Sequence, residues 1–532
     1  MNTCELPSST TVVIVGGGPV GLATAVELGT RNVECVVLEP RTEVSPLRPR
    51  AKTSSVRTME HFRRWGIADT VRNRASLPVR WSQDAAVCAT LLGPEITRFT
   101  DCFGLMPEPH PDFAESGQQV AQPVVEQVLR EKLTELPSVT FAAGWSLRSL
   151  DEHSDAVVVD AVSADSTIHR ITAQHVVGCD GPTSPTRNAI GARLTGSIDG
   201  KTNVTIVFRA RGLAQRVPHQ PAVHYWIFAP GIAGVLGRFD LEDTWWAGTS
   251  GASQAEPARL VQELLGEPTD IEVLCVDSWQ ARMQLATSFQ TGRVHLAGDA
   301  AHLNPPWGGH GYNTGIGDAV NIGWKLAAVT QGWGGPDLLQ SYESERRRVA
   351  QRTIEATTRN MRAMLGLRAS ATEQKADTHT ALAVAVQHAM RTEFHSLGLV
   401  LGNDYSNSPI VFADDTAPQR ADEDITTHVA STRAGRRLPH VWLPSGQSAY
   451  DLLGAGLTLL HRSSRFGAFV DHARERGIPI AEAELPPAAV YDDVEALLVR
   501  PDQYIAWRAQ EGDNSDHHPK VVLDRVLGHR DS

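Results

Sequence analysis

Gly16, Gly18 and Gly21 stand in the GxGxxG spacing, and an acid, Glu39, follows about twenty residues on. That spacing is the chemistry of dinucleotide binding. Gly16 makes a tight turn, Gly18 admits a pyrophosphate, and Gly21 lets a helix pack close to a strand. Glu39 accepts hydrogen bonds from the adenosine ribose hydroxyls. A second stretch, residues 292–326, reads GRVHLAGDAAHLNPPWGGHGYNTGIGDAVNIGWKL. Gly298-Asp299 lead into a loop holding Pro305, Pro306, Gly308, Gly309 and Gly311. Prolines hold such a loop in shape, and glycines let its backbone approach a ligand closely. A helix is expected from about Asn313, and a glycine-lined helix N-terminus aims N–H groups and a positive dipole end at one point. That suits a ligand that gains negative charge on reaction, such as the pyrimidine edge of a reduced flavin.

These residues need particular elements to hold them. The β-branched run 11–15, the apolar run 22–28 and the run 34–38 predict strand, helix and strand, a full βαβ unit ending at Glu39. Residues 294–297 predict a short buried strand whose carboxyl end presents Gly298-Asp299, where a doubly wound sheet offers its ligand site. Ile316, Val320, Ile322 and Leu326 recur at helical spacing behind the loop. Residues 157–177 alternate as strands do and end near Asp180-Gly181. Residues 77–104 and 203–277 predict strands of a second layer rich in aromatics. Alternation puts Tyr225 and Ile227 on one face, and His224, Trp226 and Phe228 on the other. Residues 337–365 and 381–390 predict helices, and the acidic run 414–424 reads as a linker.

A chain of 532 residues calls for two or three domains. Its 41% hydrophobic and 21% charged content describe a globular protein. The net charge of -12 is spread along the chain and argues against nucleic acid or anionic membrane as a partner. No apolar run reaches membrane-spanning length, and residues 1–11 carry no basic apolar leader, so a cytoplasmic protein is expected. The six cysteines are scattered with no CxxC pair, which predicts free thiols and no metal site.

Gly298-Asp299-Ala300-Ala301-His302, Pro306, Gly308-Gly309, Gly311, Asn313-Thr314-Gly315 and Asp318-Ala319 resemble the second flavin motif of the single-component FAD-dependent aromatic hydroxylases, the phenol hydroxylase and p-hydroxybenzoate hydroxylase relatives. His310 and Gly317 stand where that family has glutamines. Arg50-Ala51, Gln122 with Glu126, and Asp180-Gly181 with Ser184 and Arg187 match further family motifs. Residues 438–443 and 500–508 resemble the family's C-terminal domain.

The resemblance implies an α/β fold: a doubly wound, Rossmann-like FAD-binding domain at 1–75, 110–195 and 285–370, with an inserted substrate-binding β-sheet domain at 76–109 and 196–284. A helical segment and linker would fill 371–434, and a thioredoxin-like domain 435–532. No cysteine lies beyond Cys275, so that last unit can do no dithiol chemistry. The resemblance further implies that Asp299 contacts the ribityl chain and that Arg50 contacts the flavin and helps it move. Gln122, Asp180, Gly298, Pro306, Gly309, Gly311, Tyr312 and Asn313 complete the expected FAD site. Tyr225, Trp226, Trp246, Pro306 and Trp307 are the expected substrate contacts, with Tyr225 or His224 helping to ionise a phenol. The implied activity is hydroxylation of a phenolic or polyketide-derived aromatic by NADH or NADPH and O2 through a flavin 4a-hydroperoxide. A related outcome is Baeyer–Villiger insertion beside a polyketide ketone, and a flavin-binding scaffold without turnover is a third. A homodimer is compatible with all three.

Overall fold

The β-branched run near the N-terminus forms the strand Ser9–Val15, and its side chains alternate between two layers. Val12 and Ile14 point into a core built with Leu22 and Val26 of the helix Pro19–Gly29. Val13 and Val15 point the other way, against Val157 and Val159 of an antiparallel strand that folds over the opposite face. Each such side chain is completely or almost completely buried, a gain of roughly 1.5–3 kcal/mol apiece. A strand buried on both faces is the mark of a parallel sheet covered on each side. Here the parallel strands run in the order Val294–Leu296, Ile168–Gly178, Ser9–Val15, Cys35–Glu39, Val139–Ala143. This computed structural model describes residues 6–47, 52–229, 231–250, 256–373, 379–412, 424–510 and 518–529. Residues 414–423 of the expected linker, and Arg50 with Ala51, lie outside the described residues.

A second sheet is antiparallel apart from one pair, the parallel strands His224–Ala229 and Ala85–Cys88. Its central pair, Leu194–Arg209 and Glu272–Ala286, is long and bulged. Its last strand, His302–Leu303, comes directly out of the glycine-rich stretch, so the two sheets meet at that stretch. The back face packs Tyr225, Ile227 and Trp245 against the helix Pro257–Leu265. The front face packs Trp226 and Phe228 against Met364, Met390 and Phe394, from the helices Gln340–Glu373 and His379–Phe394. The helix His379–Phe394, within the stretch expected to be a helical segment and linker, therefore covers the sheet.

The third sheet has four strands, ordered Ile480–Glu484, Leu457–His461, Val494–Val499, Ile505–Gln510, with the helices Gly467–Glu475 and Pro519–Val526 beside it. Its core takes in Trp324, Trp333 and Leu338 from the first layer. Charged side chains are buried at the same junction: Arg500 reaches Glu345 at 2.7 Å, and Lys325 reaches Glu345 at 2.8 Å. No described helix is long and apolar enough to cross a membrane. The described cysteines, Cys35, Cys88, Cys102, Cys179 and Cys275, are all free.

Candidate active site

Gly16 lies just past the first strand with φ +102°, in the left-handed region, and a methyl group there would overlap the Cys179 carbonyl oxygen. A methyl group on Gly21 would overlap the Gly16 carbonyl oxygen, so the helix begins hard against the turn. Gly18 differs, because a methyl group there would meet nothing within 4 Å. Gly18 is the N-cap of the helix, and no side chain caps that end. The first free N–H groups of the helix are therefore left for a partner outside it.

Glu39 is 3% exposed. Its Oε2 accepts from the Gly17 backbone N–H at 2.8 Å, and its Oε1 from Arg41 Nε at 2.7 Å. Arg41 also lies 3.5 Å from Glu126, whose other oxygen accepts from Gln122 Nε2 at 2.7 Å. Glu39 and Gln122 thus belong to one polar chain through Arg41, a link that their separation in sequence hides. Asp180 faces its own loop, where it accepts from Ser184 Oγ and from the Thr186 N–H at 2.8 Å. Arg187 ties that loop to the glycine-rich stretch by donating to the Ala300 carbonyl at 3.0 Å.

In the glycine-rich stretch, Gly298 has φ +61° and opens a short turn that exposes Asp299. Asp318, from the following helix His310–Thr330, holds that turn. Its Oδ2 accepts from the Gly298 N–H at 3.0 Å and from His302 Nε2 at 2.7 Å, while its Oδ1 accepts from Arg346 Nε at 2.7 Å. Burial pushes the Asp318 pKa up, and Arg346 and His302 more than reverse this, leaving it below the usual aspartate value. The helix starts three residues earlier than expected, with Gly309 as its left-handed N-cap and again no side-chain cap. Gly311 and Tyr312 lie in its first turn. Asn313 fastens this end to the segment after residue 52: its Oδ1 accepts from the Ser55 N–H at 2.9 Å, and its Nδ2 donates to the Thr53 carbonyl at 3.0 Å. Tyr312 OH lies 3.3 Å from Ser54 Oγ.

Trp307, next to Pro306, turns its ring edge toward Trp279 of the second sheet at 6.4 Å. On the front face of that sheet, His224 sits 5.4 Å from the Trp246 ring and 5.2 Å from Phe103. Lys52 Nζ lies 4.0 Å from the Trp246 ring centroid. His224 Nδ1, Trp226 Nε1 and Trp307 Nε1 have no hydrogen-bond partner among the described residues. The two residues expected to help ionise a phenol lie on opposite faces. Tyr225 lies on the back face, 3% exposed, and its hydroxyl accepts from the Ala222 N–H at 3.0 Å. His224 lies on the front face, where burial, with the nearby Lys52 charge, pushes its pKa down to about 3.

A family model described as an FAD binding domain matches residues 9–357, and one described as the C-terminal part of aromatic-ring hydroxylases matches residues 431–529. The chain belongs to the FAD-dependent aromatic-ring hydroxylases. This hydroxylase is 31% identical to an FAD-dependent monooxygenase of Emericella nidulans, over 96% of this chain and 89% of the relative. It is 30% identical to a protein of Streptomyces halstedii described as a polyketide hydroxylase, over 97% of each chain. It is 28% identical to the 2,4-dichlorophenol 6-monooxygenase of Delftia acidovorans, over 99% and 100%. Among solved structures, the flavin-dependent monooxygenase PieE with FAD and substrate superposes with a TM-score of 0.90 at 27% identity, over 98% of this chain and 99% of PieE. Aklavinone-11 hydroxylase with FAD and aklavinone gives 0.83 at 26%, over 98% and 100%. The hydroxylase is thus a flavoprotein monooxygenase that uses FAD, with NAD(P)H as co-substrate.

The residues present fit that cofactor. Two helix N-termini lack side-chain caps, and the open side of Gly18 leaves room for a pyrophosphate. Sequence reading passed over three residues that touch the expected ones or their loop: Lys52 on Trp246, Arg41 on Glu39, and Glu393 on Gly308. Glu393, 4% exposed, accepts from the Gly308 N–H at 2.7 Å and so braces the loop beside Trp307. Burial pushes its pKa up to about 8, against the pull of the Gly308 and Asn360 hydrogen bonds. A carboxyl whose folded pKa is raised stabilises the fold below its unfolded pKa near 4.5, and that contribution is lost as pH rises to about 8. Glu393→Gln removes the titration. Unfolding midpoints of the two proteins should therefore diverge in favour of the variant between pH 5 and about 8. Parallel curves would show that Glu393 is already ionised at low pH.

Proposed function

We propose that this hydroxylase inserts one oxygen atom of O2 into the ring of a phenolic or polyketide-derived aromatic at the expense of NADH or NADPH. The observation that carries this reading is the aromatic front face of the second sheet. His224, Trp226 and Trp246 lie on that face, and Trp307 of the glycine-rich loop meets Trp279 of the same sheet. The relatives named for dichlorophenol and polyketide hydroxylation support it, as does the structural neighbour that holds aklavinone.

FAD, when bound, supplies the electron transfer from nicotinamide and the activation of O2. The chain's own residues have three tasks. Gly16, Gly18 and Gly21 admit the pyrophosphate, Glu39 takes the adenosine ribose, and Gln122, Asp180 and Asp299 line the remainder, with Arg50, outside the described residues, as the further flavin contact that the family motif implies. Gly298, Pro306, Gly309, Gly311, Tyr312 and Asn313 follow the flavin ring, where the free N–H groups of the helix favour negative charge. Trp226, Trp246 and Trp307 keep water from the reacting atoms and present apolar surface to the substrate ring. In this reading the second sheet is an inserted substrate domain. The cysteine-free third sheet is a thioredoxin-like unit with a structural role.

The test is a panel of phenols and polyketide aromatics scored by substrate-stimulated NAD(P)H oxidation, with products analysed after reaction in 18O2. A hydroxylated ring carrying one labelled atom is expected. A labelled ester or lactone would mean oxygen insertion beside a ketone, and peroxide release with every compound would overturn the reading. Glu39→Ala should weaken FAD retention by roughly 1–3 kcal/mol, the cost of losing a charge-assisted hydrogen bond. A titration that gives the wild-type dissociation constant would remove Glu39 from the site.

A further inference from the structure

The back of the second sheet brings together three metal-ligating side chains that no spacing in the chain announces. The strand Ala85–Cys88 pairs antiparallel with Glu95–Phe99, and a register shift after Val87 sets Cys88 opposite Glu95. A bulge of this kind re-aims side chains, and residues directly opposite carry Cβ atoms about 4.5–5.5 Å apart. Cys88 belongs to the back-face core with Tyr225 and Ile227. His219 reaches the same place from the loop ahead of the strand His224–Ala229, which pairs with Ala85–Cys88. Cys88 Sγ, a Glu95 carboxylate oxygen and a His219 ring nitrogen all lie within 4.8 Å of one another.

Two further observations point to a ligand. The His219 side chain is 6% exposed, yet its Nε2 has no hydrogen-bond partner among the described residues. Its Nδ1 stops 3.7 Å from Glu95 Oε2, beyond hydrogen-bonding length. Zinc holds sulfur at about 2.3 Å and nitrogen or oxygen at about 2.0 Å, so its tetrahedral ligand atoms stand roughly 3.3–3.6 Å apart. The carboxylate is also held from behind, as ligating carboxylates are. Arg98 donates to the two Glu95 oxygens at 3.1 and 2.8 Å, and to the carbonyls of Gln220 and Pro221, next to His219, at 2.9 and 3.1 Å. Each Glu95 oxygen keeps a second lone pair. Arg98 meets Asp84 as well, at 3.1 Å.

We propose that Cys88, Glu95 and His219 bind one zinc ion, with water in the fourth position. Thiolate, imidazole and carboxylate are the ligands zinc takes. On binding, the Cys88 S–H bond breaks, its proton leaves to solvent, and the sulfur lone pair forms the Zn–S bond. Nothing is oxidised or reduced. The thiolate, Glu95 and Asp84 then balance the ion and Arg98. The zinc pins the paired strands Ala85–Cys88 and Glu95–Phe99 to the loop before His224, on the face of the sheet away from the helix His379–Phe394.

The test strips holoenzyme with a chelator and titrates it with Co2+, which reports thiolate ligation by a charge-transfer band in the difference spectrum, free of the flavin background. One equivalent of Co2+ should raise the band, and one equivalent of Zn2+ should remove it. Cys88→Ser should abolish the band. His219→Ala, in a loop, keeps the core intact and should weaken cobalt binding about tenfold or more. A wild type without the band, a band that survives in Cys88→Ser, or wild-type affinity in His219→Ala overturns the proposal. Binding is read without turnover, so the result is independent of the hydroxylase reaction.

Discussion

Arg500→Met should cost the fold about 3–5 kcal/mol, because it leaves one of two buried carboxylates without a counter-charge. The Arg500 side chain is fully buried. It donates to Glu345 at 2.7 and 2.8 Å and to Asp502 at 3.0 and 2.6 Å, and its guanidinium lies 5.3 Å from the rings of both Trp324 and Tyr405. Lys325 remains beside Glu345, but one ammonium cannot neutralise two carboxylates. The urea midpoint should fall while the flavin and tryptophan signals still change together. The double variant Arg500→Met with Asp502→Asn separates charge from packing. It leaves Glu345 balanced by Lys325, so it should be more stable than Arg500→Met alone. If the double variant is the less stable of the two, the cost of losing Arg500 is lost ring contact and not stranded charge. The same junction holds a second buried group, in which Glu60 pairs with Arg57 at 2.8 Å and Arg437 at 3.0 Å, and Arg57 donates to Gln503. The third sheet is therefore joined to the flavin-facing layer by ion pairs whose partners lie 155 and 377 positions apart in the chain. A variant there should report on both.

How much of this was legible before folding depends on how local the signal is. The turn at Gly16, the helix behind it and Glu39 form one βαβ unit, so spacing alone located them. The stretch from Gly298 to Asn313 was legible for the same reason. Alternation also separated Tyr225 from His224 and Trp226. What alternation lacks is any mark of which face looks toward the flavin. Nor does it mark what covers each face, which is the work of the helices Pro257–Leu265 and His379–Phe394, on opposite sides of the sheet and far along the chain. Lys52 was hidden for a related reason. A lysine just after a basic loop reads as solvated, and only tertiary placement puts it on Trp246. Glu393 lies in a segment read as polar, and its burial comes from the layer it covers. Asp180 was found by its motif, and spacing did not show that its carboxylate also accepts from Ser184 Oγ and the Thr186 N–H of its own loop.

Asp318→Asn should combine a loss of stability of about 3–5 kcal/mol with at least a roughly tenfold loss of FAD affinity. The carboxylate is fully buried and meets three donors: the Gly298 N–H, His302 and Arg346. An amide offers one oxygen and one NH2, so in either orientation its NH2 confronts a donor, and Arg346 loses the charge it was buried against. Arg346 keeps Tyr405 OH at 2.8 Å and the Thr314 carbonyl at 2.9 Å, neither of which carries a full negative charge. The Gly298 turn loses its anchor at the same time, and in the proposed site it is this turn that sets Asp299 and the loop to Gly309 beside the cofactor. Stability and cofactor retention should therefore fall together, read as the urea midpoint and as the flavin absorbance retained through purification. Arg346→Met on its own should lower the midpoint and leave the bond from Gly298 to Asp318 in place, so it should retain more flavin than Asp318→Asn at equal loss of stability. Equal flavin loss in the two variants would mean that affinity merely follows the fold, and that Asp318 has no separate part in shaping the turn.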